Sequence, residues 1–296
     1  MAATLTSERR RLWMLLLPYL VGLVALVAAP AAVTFALSLF DYDLVRPARW
    51  AGGANFAELA RDGVFHISLR NSLMFALFAV PLRLLGALGL GLLLHRRFRG
   101  VGAYRTAAYL PTVVPDVAYA LLWLWILNPL YGPLNLFLEG VGLPSPQWLT
   151  KPAAAQAAVV FMSLFQIGEG FLVAMAVRQM IPGDLYEMAA VEGARPWHVL
   201  RRVTLPMMAP ALLLLLARDT IYSFQYNFVP ALVVTGGGPP PYATTYLPLF
   251  VYRTGFEYLR YGYAAAATLV MFAVTALIVL IQWQIVKRWR RAFTTI

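Results

Sequence analysis

Six long apolar runs constrain the fold of this chain more than any other sequence feature. A helix needs about 20 apolar residues to cross the hydrocarbon core of a membrane, and each run reaches that length. The runs are continuous rather than alternating, which argues against a membrane β-barrel. The predicted spans are Leu12–Phe40, Asn71–Leu94, Tyr104–Leu127, Ala153–Met180, Pro206–Val234 and Tyr263–Val286. The sequence therefore predicts an all-α integral membrane protein with six transmembrane helices.

Composition agrees with a membrane protein and excludes several other classes. The chain is 61% hydrophobic and 12% charged, whereas a soluble domain is about 25% charged. It has no cysteine, and its three histidines are far apart. No catalytic set, Walker lysine motif or metal-ligand spacing is found, so we predict no catalytic residue, no metal site and no cofactor on this chain.

The basic residues predict the orientation in the membrane. One side would carry 15 Lys/Arg, at 9–11, 96–105, 178–202 and 287–291, and the other side 7. Because basic residues accumulate on the cytoplasmic side, both termini are predicted to be cytoplasmic, with an N-terminal segment at 1–11, the span domain at 12–286 and a tail at 287–296. The same rule accounts for the net charge of +11 without a nucleic-acid partner.

Polar side chains inside the predicted spans mark a candidate pathway. In the fourth run, four residues with i, i+3, i+4, i+7 spacing would share one helix face: Met162, Phe165, Gln166 and Glu169. In the fifth run, polar residues at every turn suggest a water-exposed face: Asp219, Tyr222, Ser223 and Asn227. Such side chains are typical of a route for a hydroxyl-bearing solute, but amides and carboxylates also join helices by hydrogen bonds, and both interpretations remain open.

Three further charges lie at membrane depth, namely Arg83, Asp116 and Arg218. A charge at this depth usually faces a partner or a cavity. Arg218 points about 100° away from its sequence neighbour Asp219 on a helix. We therefore expect Arg83 or Arg218 to pair with an acidic residue of another span, such as Glu169 or Asp116.

The connection Ile181–Pro210 is the one long segment between apolar runs that is both charged and strongly patterned. Asp184 is predicted to be an N-cap, with Glu187 completing a capping box. Gly193 suits a left-handed residue after the helix, and Pro196 the first turn of a second helix. The predicted element is a short, stiff helix–turn–helix outside the membrane. The opposite connections at 41–70, 128–152 and 235–262 are predicted to be folded lids.

The spacing in this connection closely resembles the EAA loop of permease subunits of binding-protein-dependent ABC importers. The matching residues are Glu187-Met188-Ala189, Gly193 and Val203-Thr204-Leu205-Pro206. Within the family the chain is similar to the carbohydrate-type branch that includes the maltose and glycerol-3-phosphate permeases. That likeness covers nearly the whole chain, including Leu17-Pro18, Gly53–Phe56, Asn128-Pro129 and Tyr261–Ala264.

The resemblance implies a type I importer permease fold in which a helix at 184–194, inside the loop 181–206, is a cytoplasmic coupling helix. The residues that it assigns to ATPase coupling are Asp184, Glu187, Ala189, Ala190, Gly193, Leu205 and Pro206. It implies a second homologous permease subunit, two ATPase subunits that bind ATP and magnesium, an extracytoplasmic solute-binding protein, a sugar-like solute and membrane lipid as partners. The implied location is the cytoplasmic membrane of a bacterium or archaeon, with several passes.

Two other classes are weighed against this one. Asp116, Glu169 and Asp219 could serve as proton relays in an ion-coupled secondary transporter, although no inverted repeat is visible. A membrane-embedded enzyme would need a clustered catalytic set, which the sequence lacks.

Overall fold

The structure is a computed structural model that describes the backbone of residues 2–96, 98–238 and 242–293, and the side chains of 12–96, 98–238 and 242–287. Predictions about the basic side chains at 9–11, about part of the connection 235–262 and about most of the tail 287–296 therefore lie outside the described residues.

The described chain is mostly helical. The α-helices are α1 Ala2–Leu23, α2 Ala29–Leu37, α3 Ala54–Leu59, α4 Gly63–Leu94, α5 Val101–Val113, α6 Asp116–Ile126, α7 Pro133–Gly140, α8 Pro152–Ser163, α9 Gly168–Met180, α10 Asp184–Val191, α11 Pro196–Val199, α12 Leu205–Tyr226, α13 Phe228–Val233, α14 Leu247–Tyr252 and α15 Tyr261–Phe293. Wide π turns occupy Val24–Ala28, Leu200–Thr204 and Arg253–Glu257. Two short antiparallel strands, β1 Phe40–Asp41 and β2 Arg49–Trp50, pair Phe40 with Trp50.

The prediction of an all-α membrane protein is confirmed, but the number of spans is less definite than the six apolar runs suggested. Among the described residues, 4 helices are long and apolar enough to cross a membrane, and 6 spans result if each of two bent helix pairs counts as one. The second predicted span ends at Leu94, as α4 does, but α4 begins eight residues earlier, at Gly63.

The third and fourth apolar runs are each divided into two helices that meet at a bend. The third run bends by 102° between α5 and α6, because Val114 before Pro115 is extended (φ −68°, ψ 129°) and a residue before proline disfavours the helical region. The fourth run bends by 44° between α8 and α9. There the backbone N–H of Gly168 donates to Oγ1 of Thr112 on α5 (3.1 Å) instead of continuing the helix.

The chain divides into two compact units, of which the first comprises residues 1–62 and 251–270. The side-chain amide of Asn55 donates to the carbonyls of Ser38 (2.8 Å) and Phe40 (2.9 Å). Glu58 accepts a 2.7 Å bond from Arg260, and this hydrogen bond raises the pKa of the Arg260 guanidinium. These bonds hold the connection 41–70, which is one of the three predicted lids, in a folded conformation.

The second unit comprises residues 63–250 and 271–296. Its centre is the packing of α4 against α9 and α12. A buried core joins α4, α6 and α8 through side chains such as Phe75, Trp123 and Met162. The segment before α14 is held by Asn71 on α4, whose amide donates to the carbonyls of Tyr242 (2.9 Å) and Thr245 (3.1 Å), as expected for a folded connection.

Close packing of α4 on α9 depends on Gly91, and this gives the first prediction. A Cβ at Gly91 would lie 2.8 Å from Cβ of Ala174 and 3.0 Å from the backbone N of Met175. Gly91→Ala is therefore expected to destabilise the protein by roughly 1–3 kcal/mol through overpacking, read as a lower melting temperature in detergent. Gly89→Ala is the matched control because a Cβ at this position would have nothing within 4 Å. It should leave the melting temperature equal or higher. Equal effects in the two variants would contradict this packing.

Candidate functional site

Four charged side chains from three helices form a continuous cluster in the second unit. Arg83 on α4 lies 3.4 Å from Asp219 on α12, and Arg218 lies 3.0 Å from the same carboxylate oxygen. Arg218 also contacts Glu169 on α9. The side chains become progressively more exposed along the cluster, from 1% at Arg83 and 7% at Asp219 to 37% at Arg218 and 55% at Glu169. The cluster thus connects the inside of the helix packing to an open surface.

Tyr222 joins the charged cluster to the polar residues predicted for a pathway. Two guanidinium groups lie over its ring, that of Arg83 at 4.7 Å and that of Arg218 at 5.3 Å from the ring centroid. Its hydroxyl donates to Oε1 of Gln166 (3.3 Å). Stacked cations and an aromatic ring attract each other through the ring quadrupole. The predicted residues Gln166, Glu169, Asp219 and Tyr222 therefore belong to one network.

The expected ion pairs are confirmed in part. Arg218 does pair with Glu169 of another helix, but it also pairs with its sequence neighbour Asp219. The α-helical separation of about 100° is bridged by the length of the arginine side chain. Arg83 pairs with Asp219 rather than with Glu169 or Asp116. Among the described ion pairs, none includes Asp116.

The predicted face of the fourth run is wrong because the helix break separates its members. Met162, near the end of α8, is fully buried in the core and accepts a 2.6 Å hydrogen bond from the Tyr119 hydroxyl through its backbone carbonyl. Phe165 and Gln166 lie in the turn between α8 and α9. Phe165 is 44% exposed. The centroid of its ring lies 5.2 Å from the ring centroids of Trp123 and of Phe161. Only Glu169 lies on α9.

The predicted water-exposed face of the fifth run is also wrong for three of its four residues. Ser223 and Asn227 are completely buried, and Asp219 is nearly so. The Ser223 hydroxyl donates to the backbone carbonyl of Asp219 (2.7 Å). The Asn227 amide and the Tyr226 hydroxyl have no hydrogen-bond partner in the described structure. Buried polar groups of this kind are usually paired. The end of α12 next to the cluster therefore has polar groups that could still form hydrogen bonds.

A second candidate site is the helix–turn–helix that follows α9. Helix α10 begins at Asp184, and Gly183 occupies the N-cap position without a side-chain hydrogen bond. The prediction that Asp184 caps the helix in a capping box is therefore wrong, because the Gly183 carbonyl already accepts from Tyr186 (2.8 Å) and Glu187 (3.1 Å). Asp184 and Glu187 still place negative charge in the first turn, which the helix dipole favours.

The predicted end of this helix is confirmed. Gly193 has φ +69°, the left-handed region that favours glycine. The Ala194 N–H donates to the Ala189 carbonyl (2.9 Å), closing the turn. Pro196 begins α11 as predicted. Leu205 and Pro206 form the first turn of α12.

Helix α10 has one buried side and one exposed side. Leu185 and Tyr186 pack against a small core around Ile181 and Met208. The opposite side exposes Glu187 and Ala190, and two apolar side chains there are unusually open, Met188 at 61% and Val191 at 89%. Exposed apolar side chains next to an exposed charge are typical of a protein–protein contact surface.

Tyr186 connects α10 to both neighbouring helices. Its hydroxyl lies 3.1 Å from Oγ1 of Thr204, the residue before α12. The Arg178 guanidinium, in the last turn of α9, lies 4.1 Å from the centroid of its ring. Helix α10 is thus attached to the end of α9 and to the start of α12.

Sequence reasoning did not assign Arg178, Tyr186 or Thr204 to either site, and it named Arg83 and Arg218 as ion-pair partners without placing them in the pathway. Arg83 and Arg218 had a usable signal, since each is a charge within an apolar run. Arg178 and Tyr186 did not, because their contact depends on how the chain turns between α9 and α10.

Comparison with known proteins agrees with this arrangement. The sequence profile of the family described as "Binding-protein-dependent transport system inner membrane component" matches residues 85–291. The chain is 32% identical over 243 residues to the sn-glycerol-3-phosphate transport system permease protein UgpA of Agrobacterium fabrum, covering 81% of each chain. It is 28% identical over 277 residues to the sulfoquinovosyl glycerol transport system permease protein SmoG of the same species, covering 93% of this chain and 89% of the relative.

A solved structure has the same fold. A chain in the crystal structure of a bacterial alginate ABC transporter, in complex with alginate pentasaccharide-bound periplasmic protein, superposes with a TM-score of 0.83 over 96% of both chains, at 23% identity. With the profile match over more than half of its length, the chain belongs to the family of binding-protein-dependent transport system inner membrane components, the permease subunits of ABC importers.

Proposed function

We propose that this chain forms half of the translocation pathway of an ATP-driven importer for a sugar or sugar-like solute. In this proposal a second homologous permease supplies the other half, two cytoplasmic ATPase subunits bind ATP and magnesium, and an extracytoplasmic binding protein delivers the solute. The chain crosses the membrane six times with both termini in the cytoplasm. The named relatives UgpA and SmoG, whose solutes carry hydroxyl groups, support the solute class.

One observation carries the proposal: two of the three helices that form the charged cluster, α9 and α12, also hold α10. Helix α9 has Glu169 in its first turn and Arg178 in its last turn. Thr204 directly precedes α12, which carries Arg218, Asp219 and Tyr222. Movement of α10 would therefore be passed to both sides of the Arg218–Glu169 contact.

The mechanism follows from this connection. An ATPase subunit grips the exposed Met188, Val191 and Glu187 of α10, which serves as the coupling helix. When the ATPase dimer closes, α10 moves as a rigid body and pulls α9 and α12 through Tyr186. The Arg218–Glu169 contact is then made in one state of the transporter and opened in the other, so ATP binding biases a two-state element.

The solute would be bound by the partly exposed end of the cluster. Glu169 offers hydrogen-bond acceptors for sugar hydroxyls, Arg218 offers donors, and Phe165 offers an aromatic face. Gln166 is buried and accepts a hydrogen bond from Tyr222, so it would act through that side chain. Polar groups that fix orientation beside an aromatic surface are common in small-molecule sites.

Uptake into proteoliposomes tests the function. The assembled complex is supplied with its binding protein and a ligand first identified on that binding protein. We expect uptake to require ATP and the ATPase subunit and to survive a proton uncoupler. Uptake that continues without the ATPase and stops with the uncoupler would contradict the proposal and favour a proton-coupled transporter.

Glu169→Gln gives a second prediction. The glutamine keeps the size of the side chain but removes the charge that holds Arg218, so the uptake rate is expected to fall several-fold. The stability of the complex should change by less than about 1 kcal/mol, because the contact is partly exposed. Glu139→Gln on α7 is the control, with the same charge change outside the cluster. Unchanged uptake in Glu169→Gln would remove this residue from the pathway.

A further inference from the structure

A groove of about 750 Å³ runs along α11 and α12 in the second unit. It shares α11 with the helix–turn–helix described above but includes no residue of α10 and none of the charged cluster. One end is basic and aromatic, with Trp197, His198, Arg201 and Arg202. The remainder is apolar, formed by α12 side chains from Leu205 to Leu216, with walls from α4 and α15. No acidic side chain lines the groove in the described part of the chain. The groove is therefore amphipathic along its length.

The arrangement of this groove follows the helix repeat. Trp197, Arg201, Leu205 and Ala209 are four residues apart and lie along one side of the continuous helical segment. The π turn Leu200–Thr204 falls at the change from basic to apolar residues. From Arg201 to Leu216 the groove extends for roughly 22 Å at 1.5 Å per residue. One leaflet of the hydrocarbon core is about 15 Å deep, so the groove can hold an acyl chain along its whole length.

We propose that this groove binds an anionic phospholipid, with the phosphate at Arg201 and Arg202 and one acyl chain along Leu205–Leu216. Guanidinium groups bind phosphate through paired, charge-assisted hydrogen bonds. Basic pockets between membrane helices are known sites for anionic headgroups. Trp197, 64% exposed, has the amphipathic ring that favours headgroup depth. The inference goes beyond the transport function and does not depend on the solute.

The apolar part of the groove argues for a lipid over a soluble protein partner. Leu205–Leu216 lies within the candidate span Pro196–Val233, and the wall residue Leu84 lies inside α4. Both belong to helices that are long and apolar enough to cross a membrane, and a soluble protein does not enter the hydrocarbon core. A protein partner could contact Arg201 and Arg202 but would leave the apolar part unfilled.

The test uses the assembled complex in phosphatidylcholine nanodiscs, titrated with brominated phosphatidylglycerol. Bromine quenches nearby tryptophan, and the difference between the native protein and Trp197→Phe isolates the signal of Trp197. We expect saturable quenching by phosphatidylglycerol and no comparable quenching by brominated phosphatidylcholine. The double variant Arg201→Gln/Arg202→Gln should require about thirtyfold more phosphatidylglycerol, since each basic residue near the surface contributes roughly a fivefold effect.

The matched control is Arg96→Gln/Arg99→Gln, which removes the same charge from exposed positions between α4 and α5, outside the groove. It should bind phosphatidylglycerol as the native complex does. Leu213→Phe, which narrows the groove without a charge change, should weaken binding.

Three results would overturn the proposal. One is equal weakening by the two arginine pairs, which would indicate general surface charge. Another is equal quenching by the two lipids. The third is release of the ATPase subunit by Arg201→Gln/Arg202→Gln with unchanged lipid binding, which would assign the basic pair to a protein contact.

Discussion

Asp219→Leu is expected to destabilise the complex more than any other single change in the polar cluster, by about 3–5 kcal/mol. Arg83 is 1% exposed, and Asp219 is the one acidic side chain within ion-pair distance of it among the described residues. The Nε and Nη1 atoms of Arg83 already lack hydrogen-bond partners in the described structure. Without Asp219 its charge would be buried and unpaired. The readouts are the yield of monodisperse complex and its melting temperature.

Removing the other partner of the pair, in Arg83→Met, should destabilise the complex less than Asp219→Leu does. In Arg83→Met the carboxylate of Asp219 keeps Arg218, 3.0 Å away. The double variant Arg83→Met/Asp219→Leu should recover much of the stability lost in Asp219→Leu, because replacing a whole buried pair by apolar groups is often tolerated. A less stable Arg83→Met than Asp219→Leu, or no recovery in the double variant, would contradict the network.

Gly193→Pro is expected to abolish solute-stimulated ATP hydrolysis in the assembled complex while leaving membrane insertion intact. Proline fixes φ near −65°, whereas Gly193 has φ +69°, and its N–H donates to the Ala190 carbonyl (3.0 Å). The helix could no longer turn back at this point. Insertion should survive because nothing lies within 4 Å of a Cβ at this position.

A graded series separates backbone from contact effects. Gly193→Ala should reduce coupling less than proline, since a left-handed alanine costs about 1–2 kcal/mol. Gly183→Ala, at the other end of α10, is the control: its φ of −59° suits alanine. Tyr186→Phe removes the contact with Thr204 but keeps the ring beneath Arg178, so partial coupling should remain. Glu187→Lys should abolish coupling by charge reversal. Normal coupling in both Gly193→Pro and Glu187→Lys would refute the role of this loop.

Apolar run length predicted where most helices lie, because the cost of burying unpaired polar groups in a membrane leaves few alternatives. It could not predict the bends. Pro115 gave a local signal for the first break, but an average of hydropathy along the chain has no information on the angle between α5 and α6. The second break depends on a tertiary hydrogen bond between Gly168 and Thr112, for which the sequence has no short-range signal.

The two sites differ in how far the sequence could predict them. Gly193 and Pro196 follow backbone rules that act over a few residues, and their predicted conformations were correct. The prediction that Asp184 is the N-cap was wrong because Gly183, one residue earlier, occupies the N-cap position. Arg83 and Asp219 are 136 positions apart, so their pairing depends on how α4 packs on α12, which side-chain periodicity alone does not determine.

Site-specific cross-linking to the ATPase subunit tests the central proposal most directly. The chain has no cysteine, so a single introduced thiol is unambiguous. Val191→Cys on α10 and Leu130→Cys before α7 replace residues of nearly equal exposure, 89% and 87%, on opposite predicted sides of the membrane. We predict that Val191→Cys forms an adduct with the ATPase whose yield changes on ATP binding, and that Leu130→Cys forms none. An ATPase adduct at Leu130→Cys with none at Val191→Cys would contradict the account.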